Sequence, residues 1–138
     1  MSMKFLNISL MKVNFTLNRE FKAIGDEVTY SPDLAFNHEV KTEEKQLIVL
    51  LGVRQISGDL PYYFEIESAG LFQFDEFPEE RMLTQFIAIN CPAIMFPYVR
   101  ETIADLTRRA GFSPLHLNPI NFIQLAKDRE TEKQAPTN

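Results

Sequence analysis

The chain has 138 residues, a length that suits a single domain. Apolar residues make up 45% of the sequence and charged residues 24%, which is the composition of a folded globular protein. A formal net charge of −5 argues against nucleic-acid binding, and one cysteine with two separated histidines leaves too few ligands for an internal disulfide or a zinc centre. We find no apolar run near the roughly 20 residues that a membrane-spanning helix needs. We therefore expect a cytoplasmic protein without metal, cofactor or membrane contact, with one domain over residues 1–133 and a disordered tail over 134–138.

The first half of the chain alternates between apolar and polar residues as β-strands do. In the first strand the apolar phase changes at Leu10–Met11, which predicts a β-bulge or a break in the strand there. A long connection over residues 18–33 leads to a half-buried strand over 34–41. Residues 47–53 are almost wholly apolar, so we expect this strand to be covered on both faces. A fourth strand over 62–67 completes a predicted antiparallel sheet.

The second half changes to helical spacing. A cluster of acidic residues at 75–80 marks a helix start, Cys91–Pro92 is expected to interrupt the helix, and Pro97 is expected to kink it. Gly111 marks its end, an extended linker covers residues 112–118, and a short last helix is predicted from Pro119 to about residue 133. The predicted fold class is α+β: a four-stranded antiparallel sheet followed by a long kinked helix and a short C-terminal helix.

Catalytic chemistry has little support in the sequence. The five glycines are scattered and form no phosphate-binding loop, so an ATP-driven mechanism has no visible site. Glu65 and Glu67 share one face of a strand, where we expect both carboxylates to be solvated. Cys91 has apolar neighbours and no histidine nearby in sequence, which indicates a buried structural thiol rather than a nucleophile. We expect no enzyme.

Two runs of residues resemble the SecB family of bacterial protein-export chaperones. Residues 90–101 read NCPAIMFPYVRE and residues 112–122 read FSPLHLNPINF, in the family's order and separation. Weaker similarity extends back through the last strand to residues 13–15, so the resemblance covers most of the chain, which would be a divergent member. It implies the fold already described, a homotetramer built as a dimer of dimers, and an ATP-independent holdase that keeps precursors unfolded in apolar grooves for the SecA motor.

The resemblance also suggests where a client would bind. A holdase needs adaptable apolar surface, and the linker with the start of the last helix supplies it. The candidate client-binding residues are Phe112, Leu115, Leu117, Ile120 and Phe122, with the loop over residues 18–33 as a second wall. The alternative is that these residues only dock the last helix onto the sheet. The helical stripe of Met95, Val99 and Leu106 is the candidate oligomer interface.

The sequence departs from the family at the residues that would contact SecA. Lys12 and Thr16 stand where many family members carry acidic residues that meet the SecA tail. Glu65, with Glu67 beside it, is the remaining acidic contact. Some SecB-like proteins instead keep the antitoxin of a toxin–antitoxin pair soluble, which is one alternative function. Further alternatives are a small oligomeric protein that binds an apolar metabolite and a plain interaction scaffold.

Overall fold

A computed structural model describes residues 2–22 and 28–134, with side chains as far as residue 131. The strands are β1 (Met3–Leu17), β2 (Asp33–Lys41), β3 (Gln46–Gln55) and β4 (Tyr62–Phe74). They form one antiparallel sheet in the order β1-β4-β3-β2, with β1 and β2 at its edges. The helices are α1 (Glu80–Gln85), a π-helical segment (Phe86–Asn90), α2 (Cys91–Arg109) and α3 (Phe122–Gln134). The predicted fold class is confirmed, and α3 reaches residue 134; residues 135–138 of the expected tail lie outside the described part.

Of the two predictions for β1, a β-bulge or a break in the strand, the structure confirms the bulge. The register of β1 against β4 shifts between Leu10 and Lys12, and a second shift lies between Phe5 and Asn7. Each shift inserts one residue, which restores the alternation after a change of apolar phase. The bulge thereby keeps Val13 and Phe15 opposite Ile66 and Phe64, on the side of the sheet that α2 covers.

The expectation that β3 is covered on both faces is wrong. Its alternate residues Leu47, Val49, Leu51 and Val53 have no exposed surface and belong to the core. Its intervening residues, which include Ile48 and Leu50, lie on the outer face and are only half-buried. In an antiparallel sheet with helices on one side, a nearly continuous apolar run therefore marks one core face and one apolar outer face.

The helix does not break at Cys91–Pro92, contrary to the prediction. Pro92 lacks an N–H and its ring crowds the carbonyl of the residue four positions earlier. The chain accommodates it with a π turn, in which the N–H of Cys91 donates to the carbonyl of Phe86. The helix then continues through Pro97 to Arg109. One helical rod from Glu80 to Arg109 results.

The composition of this rod corrects the expectation that the chain has no apolar run near the length of a membrane-spanning helix. Between Arg81 and Arg100 the chain carries no charged residue, and an 18-residue window of the rod has a mean hydropathy of 1.4. By length and composition the rod is long and apolar enough to cross a membrane, although it packs on the sheet. Uncharged polar residues such as Gln85 and Asn90 hide this run from a search for unbroken apolar sequence. Since 28% of the window is buried inside the chain, much apolar helix surface stays uncovered.

The core lies between α2 and the inner face of the sheet. Met95, Val99 and Ile103 of α2 have no exposed surface and belong to the same core cluster as the inner residues of β3 and β4. Met95 lies directly over Gly70, where a Cβ atom would come within 2.8 Å of the Met95 sulfur. The assignment of Met95 and Val99 to an oligomer interface is therefore corrected: a helical stripe indicates burial, and here the chain's own sheet covers it.

The structure confirms the predicted start of the linker and corrects its predicted end. Gly111 has a φ of 93°, and its N–H and that of Phe112 close the last turn of α2, so the predicted helix end is confirmed. The last helix begins later than predicted, at Phe122 rather than at Pro119. Asn121 is its cap, because its side-chain oxygen accepts the N–H of Gln124.

Candidate functional site

Side chains of α2 hold the linker between α2 and α3 in place. Arg100 donates from Nε to the carbonyl of Leu117 at 2.6 Å, and the Thr107 hydroxyl accepts the N–H of Leu115 at 2.9 Å. Thr107 is fully buried, and its hydroxyl also faces the carbonyl of Ile103 at 3.0 Å. These bonds satisfy linker backbone groups that no strand pairs, so the linker is fixed along α2 without a partner strand.

The five candidate client-binding residues divide into two groups. Leu117 and Phe122 are only 5% and 4% exposed and belong to the core, in agreement with a role in docking α3. Phe112 is 36% exposed, and Leu115 and Ile120 are half-buried at the core's edge. The second group is thus the part of the linker that a ligand can reach while α3 is docked.

An aromatic cluster joins the linker to the connection before β2. The rings of Phe112 and Tyr62 lie 4.9 Å apart, and Tyr30 stacks on Tyr62 at 4.8 Å. The Tyr30 hydroxyl donates to the Tyr62 carbonyl, and burial raises the pKa of Tyr30, so the phenol stays neutral. Tyr30 belongs to the predicted second wall. Residues 23–27 of that loop lie outside the described part of the chain.

A groove of about 640 Å³ lies between the first half of the helical rod and α3. Its apolar lining comes from the helical rod, β2 and α3, and comprises Phe36, Ile87, Ala88, Ile89, Ile123, Leu125 and Ala126. Ile123 is 54% exposed. Arg129 and Glu130 stand at the rim with charges of opposite sign. An apolar floor with a mixed polar rim suits apolar polypeptide segments of varied sequence.

Sequence reasoning missed this groove because its walls are far apart in the chain. The signal in the sequence was indirect: Ile87, Ile89 and Ile94 extend the apolar surface of the rod beyond one helical stripe. Among the described residues, no cluster of His, Cys, Asp or Glu has a geometry suited to a metal ion.

A second apolar trough, of about 540 Å³, runs between β1 and α2. Leu10, Val13, Tyr98 and Leu106 line it, and the first three are between 44% and 53% exposed. Leu106, the third residue of the predicted interface stripe, is half-buried here. Glu101, Asp105 and Arg109 also line the trough, so it combines an apolar surface with charged walls beside an edge strand, a surface that another chain can cover.

The acidic pair on β4 faces the outer side of the sheet. Glu65 is bound by Lys12 of β1 at 2.5 Å, and Arg54 of β3 lies 3.8 Å from its other oxygen. Hydrogen bonding to Lys12 holds the pKa of Glu65 below its ordinary value. Glu67 pairs in register with Lys12. The two carboxylates are therefore neighbours, as predicted, and two cations of the same chain already offset much of the charge of Glu65.

Cys91 is fully buried, as predicted. Its thiol lies 3.8 Å from the sulfur of Met3, and burial raises its pKa to about 12. Since the thiolate is the reactive form, we expect a thiol reagent at pH 8 to label the native protein far more slowly than the protein in denaturant. Timed labelling followed by intact-mass measurement tests this. Equal rates in the two states would contradict the burial of Cys91.

Comparison with known proteins identifies the family. The family model described as preprotein translocase subunit SecB matches residues 9–133. The chain is 40% identical over 90 residues to a protein-export protein SecB of Acidithiobacillus ferrooxidans, a match that covers 64% of this chain and 60% of the relative. It is 34% identical over 129 residues to a protein-export protein SecB of Dechloromonas aromatica, covering 94% of this chain and 74% of the relative.

The fold has a solved counterpart. A SecB-like chaperone of Mycobacterium tuberculosis, solved in complex with a peptide from an antitoxin, superposes with a TM-score of 0.73 at 22% identity and covers 86% of this chain and 90% of the other. This likeness concerns the fold. The matched part spans 60% of the length of the Acidithiobacillus relative, so this match alone does not assign the activity of the whole relative to this chain. On the match to residues 9–133 and the 34% identity over 94% of this chain to the Dechloromonas relative, the chain belongs to the SecB family.

Proposed function

We propose that the protein is an ATP-independent holdase that binds unfolded polypeptides and keeps precursors competent for export from the cytoplasm. The observation that carries the proposal is the apolar groove between the helical rod and α3, with Phe112, Leu115 and Ile120 of the linker as further accessible apolar side chains. Such a surface supplies burial without fixed polar contacts, which suits many client sequences. Family membership supports the same function.

A test is suppression of aggregation without nucleotide. A chemically unfolded protein is diluted into buffer with and without this protein, and light scattering is followed. A holdase keeps scattering low at a fixed ratio of chaperone to client and releases a client that can refold. Undiminished scattering at a large molar excess would overturn the proposal and favour a metabolite-binding protein or a scaffold.

We also propose a homotetramer built as a dimer of dimers. The trough between β1 and α2 and the uncovered side of the helical rod, where Tyr98 is 48% exposed, are the surfaces for the subunit contacts. Burial of these apolar surfaces between copies explains why one small chain carries so much of them. Size-exclusion chromatography with light scattering at micromolar concentration is expected to give four times the chain mass. A clean monomer would contradict the assembly.

We propose that the protein delivers clients to the SecA motor but binds the basic tail of that motor only weakly. Lys12 and Arg54 compete with any basic peptide for Glu65, since both already contact that carboxylate. The double substitution Lys12→Asp with Thr16→Glu removes the nearer of these two cations, leaves Arg54 in place and adds two acids, so we expect about thirtyfold tighter binding of a SecA tail peptide at low salt. Calorimetric titration measures it, and a smaller gain at high salt is the accompanying expectation.

The control for that titration is Lys41→Asp, which adds negative charge to β2 at the opposite edge of the sheet and should change tail binding little. Tight binding by the unmodified protein would show that the acids absent at positions 12 and 16 are dispensable.

A second candidate function is favoured by one observation. The structural neighbour from Mycobacterium tuberculosis was solved with an antitoxin peptide. A chaperone dedicated to an antitoxin would need the client groove but no acidic surface for SecA. The pairing of Glu65 with Lys12 agrees with this function, because it leaves less negative charge for a basic tail. Polypeptides that copurify with the protein distinguish the two functions, because precursors with signal peptides indicate export and a single antitoxin indicates the alternative.

A further inference from the structure

The outer face of the sheet, opposite the helices, carries a depression of about 620 Å³. Its floor is apolar and comes from the two central strands, where Ile48 faces Leu71 in register and Leu50 faces Ala69. These side chains are half-buried, so a ligand can reach them. Side chains of the two edge strands form the rims, which comprise Asn7, Ser9 and Met11 of β1 and Asn37, Glu39 and Lys41 of β2.

The distance between the rims suits an α-helix. Because β1 and β2 are the edges of a four-stranded sheet, three strand spacings separate them, which is about 14 Å. An α-helix with its side chains is about 10–12 Å across. One helix with an apolar side towards the floor therefore fits between the two rims.

An extended polypeptide fits the same floor poorly. The strands β3 and β4 are central, and each pairs with a neighbouring strand on both sides. Their backbone groups are used within the sheet, so a segment lying across them would leave its own N–H and C=O groups without partners on an apolar surface. A helix bonds these groups internally and avoids that cost.

A second copy of the same face is excluded by shape. In a two-fold contact the same patch meets itself. Two depressions would then face each other, and their rims would touch before their floors could. The floor needs a convex occupant, and a helix has that shape.

The two ends of the depression differ in charge. At one end Lys4 and Lys41 extend from the edge strands, level with Gln73 and Gln46 between them, and neither lysine forms an ion pair within the described part of the chain. Glu67 lies on β4 about 20 Å along the strand from that end. Since a helix carries negative partial charge at its C-terminus and positive at its N-terminus, the lysines favour the C-terminal end of a docked helix.

We propose that this outer depression binds one amphipathic α-helix of a partner protein, about 13 residues long, with its C-terminal end at Lys4 and Lys41. The helix presents an apolar stripe to the floor and carries acidic side chains in its last turn. The depression does not include Glu65, and the client groove lies on the other side of the sheet. The surfaces proposed for subunit contacts also lie on that other side, so assembly leaves the depression open.

The test uses three fluorescein-labelled peptides of about 14 residues, each titrated with the full chain and followed by anisotropy. The first is held helical by a side-chain lactam and has a leucine stripe with glutamates in its last turn. The second is the same except that the glutamates lie in its first turn. The third has the first sequence without the lactam and with a central proline, which prevents a continuous helix. We expect the first peptide to bind most tightly.

Two variants of the floor test the position of the site. Ile48→Thr with Leu71→Thr removes apolar surface and keeps residues that suit strands, whereas Ala69→Gln fills the depression without touching the core. Both are expected to weaken binding of the first peptide at least about tenfold. A thermal melt of each variant verifies that the fold is retained, and Ala69→Gln carries the test if the double variant is unstable.

The charge prediction is tested by Lys4→Gln with Lys41→Gln. This pair should weaken binding of the first peptide about three- to tenfold at low salt and less at high salt, and should narrow its advantage over the second peptide. Lys22→Gln is the control, because it removes the same charge at an exposed position beyond β1 and outside the depression. It should leave binding unchanged.

Several results would overturn the proposal. They are no binding of the first peptide at millimolar concentration, equal binding of the proline peptide, and tighter binding of the second peptide. Loss of binding in Phe112→Ser with Ile123→Ser but not in Ala69→Gln would place the peptide in the client groove instead. A changed assembly mass of Ala69→Gln would indicate a contact between copies. The holdase proposal does not use the outer face and stands in each case.

Discussion

Replacing Gly70 with alanine is expected to destabilise the fold by about 1–3 kcal/mol, the usual cost of overpacking a tight core. A Cβ at this position would meet the Met95 sulfur at 2.8 Å and a Phe72 ring carbon at 2.9 Å. Both contacts are shorter than real side chains allow, and the neighbouring atoms are fully buried. Chemical denaturation at a fixed protein concentration measures the loss, because assembly makes apparent stability depend on concentration.

Gly52→Ala is the matched control for this prediction. Gly52 lies in the neighbouring strand, and the nearest atom to a Cβ there is the Ala35 side chain at 3.5 Å, an ordinary contact. We expect it to be neutral or slightly stabilising. Combining Gly70→Ala with Met95→Ala should cost less than the sum of the two single changes, since the smaller side chain makes room for the methyl group. Strict additivity would show that Met95 does not press on Gly70.

Replacing Phe112 and Ile123 together by serine should weaken binding of an unfolded client by at least about tenfold. Both side chains are exposed, at 36% and 54%, and they lie at the linker and in the groove. Their loss removes apolar surface that a client would bury, while the fold loses little. Anisotropy titration with a labelled unfolded client, beside a thermal melt, separates affinity from stability.

The control for the client prediction is Ile56→Ser. Ile56 is 57% exposed and lies between β3 and β4, outside the groove and the linker. It should leave binding unchanged. If Phe112→Ser with Ile123→Ser binds the client as well as the unmodified protein does, the client surface lies elsewhere, and the trough between β1 and α2 becomes the next candidate.

Local patterns were sufficient to predict most of the fold. Alternation placed β1, β2 and β4, and a nearly continuous apolar run placed β3. The change of apolar phase at Leu10–Met11 placed a bulge or a break, because a continuous strand with one buried face cannot change phase without one of them. Gly111 marked the end of α2 through its positive φ. These features depend on neighbours in sequence, and no knowledge of the tertiary structure is needed to predict them.

The errors share a different cause. The spacing of Met95 and Val99 showed that one helix face is buried, but periodicity does not say whether the same chain or another copy covers it. Pro92 was expected to stop the helix, although a π turn allows it to pass. The groove was not predicted because Ile87 and Ile123 come to line one groove only after α3 folds back, and no local sequence pattern indicates that tertiary arrangement.

The π turn at Phe86–Asn90 changes which way each half of the helical rod points. An α-helix advances about 100° per residue, so one extra residue in a turn offsets everything before it by about that angle from everything after it. After the turn, Met95 and Val99 are buried against the sheet, whereas Thr84 and Gln85 before the turn and Ile87 and Ile89 within it line the groove. A single helix thus serves two surfaces in different directions.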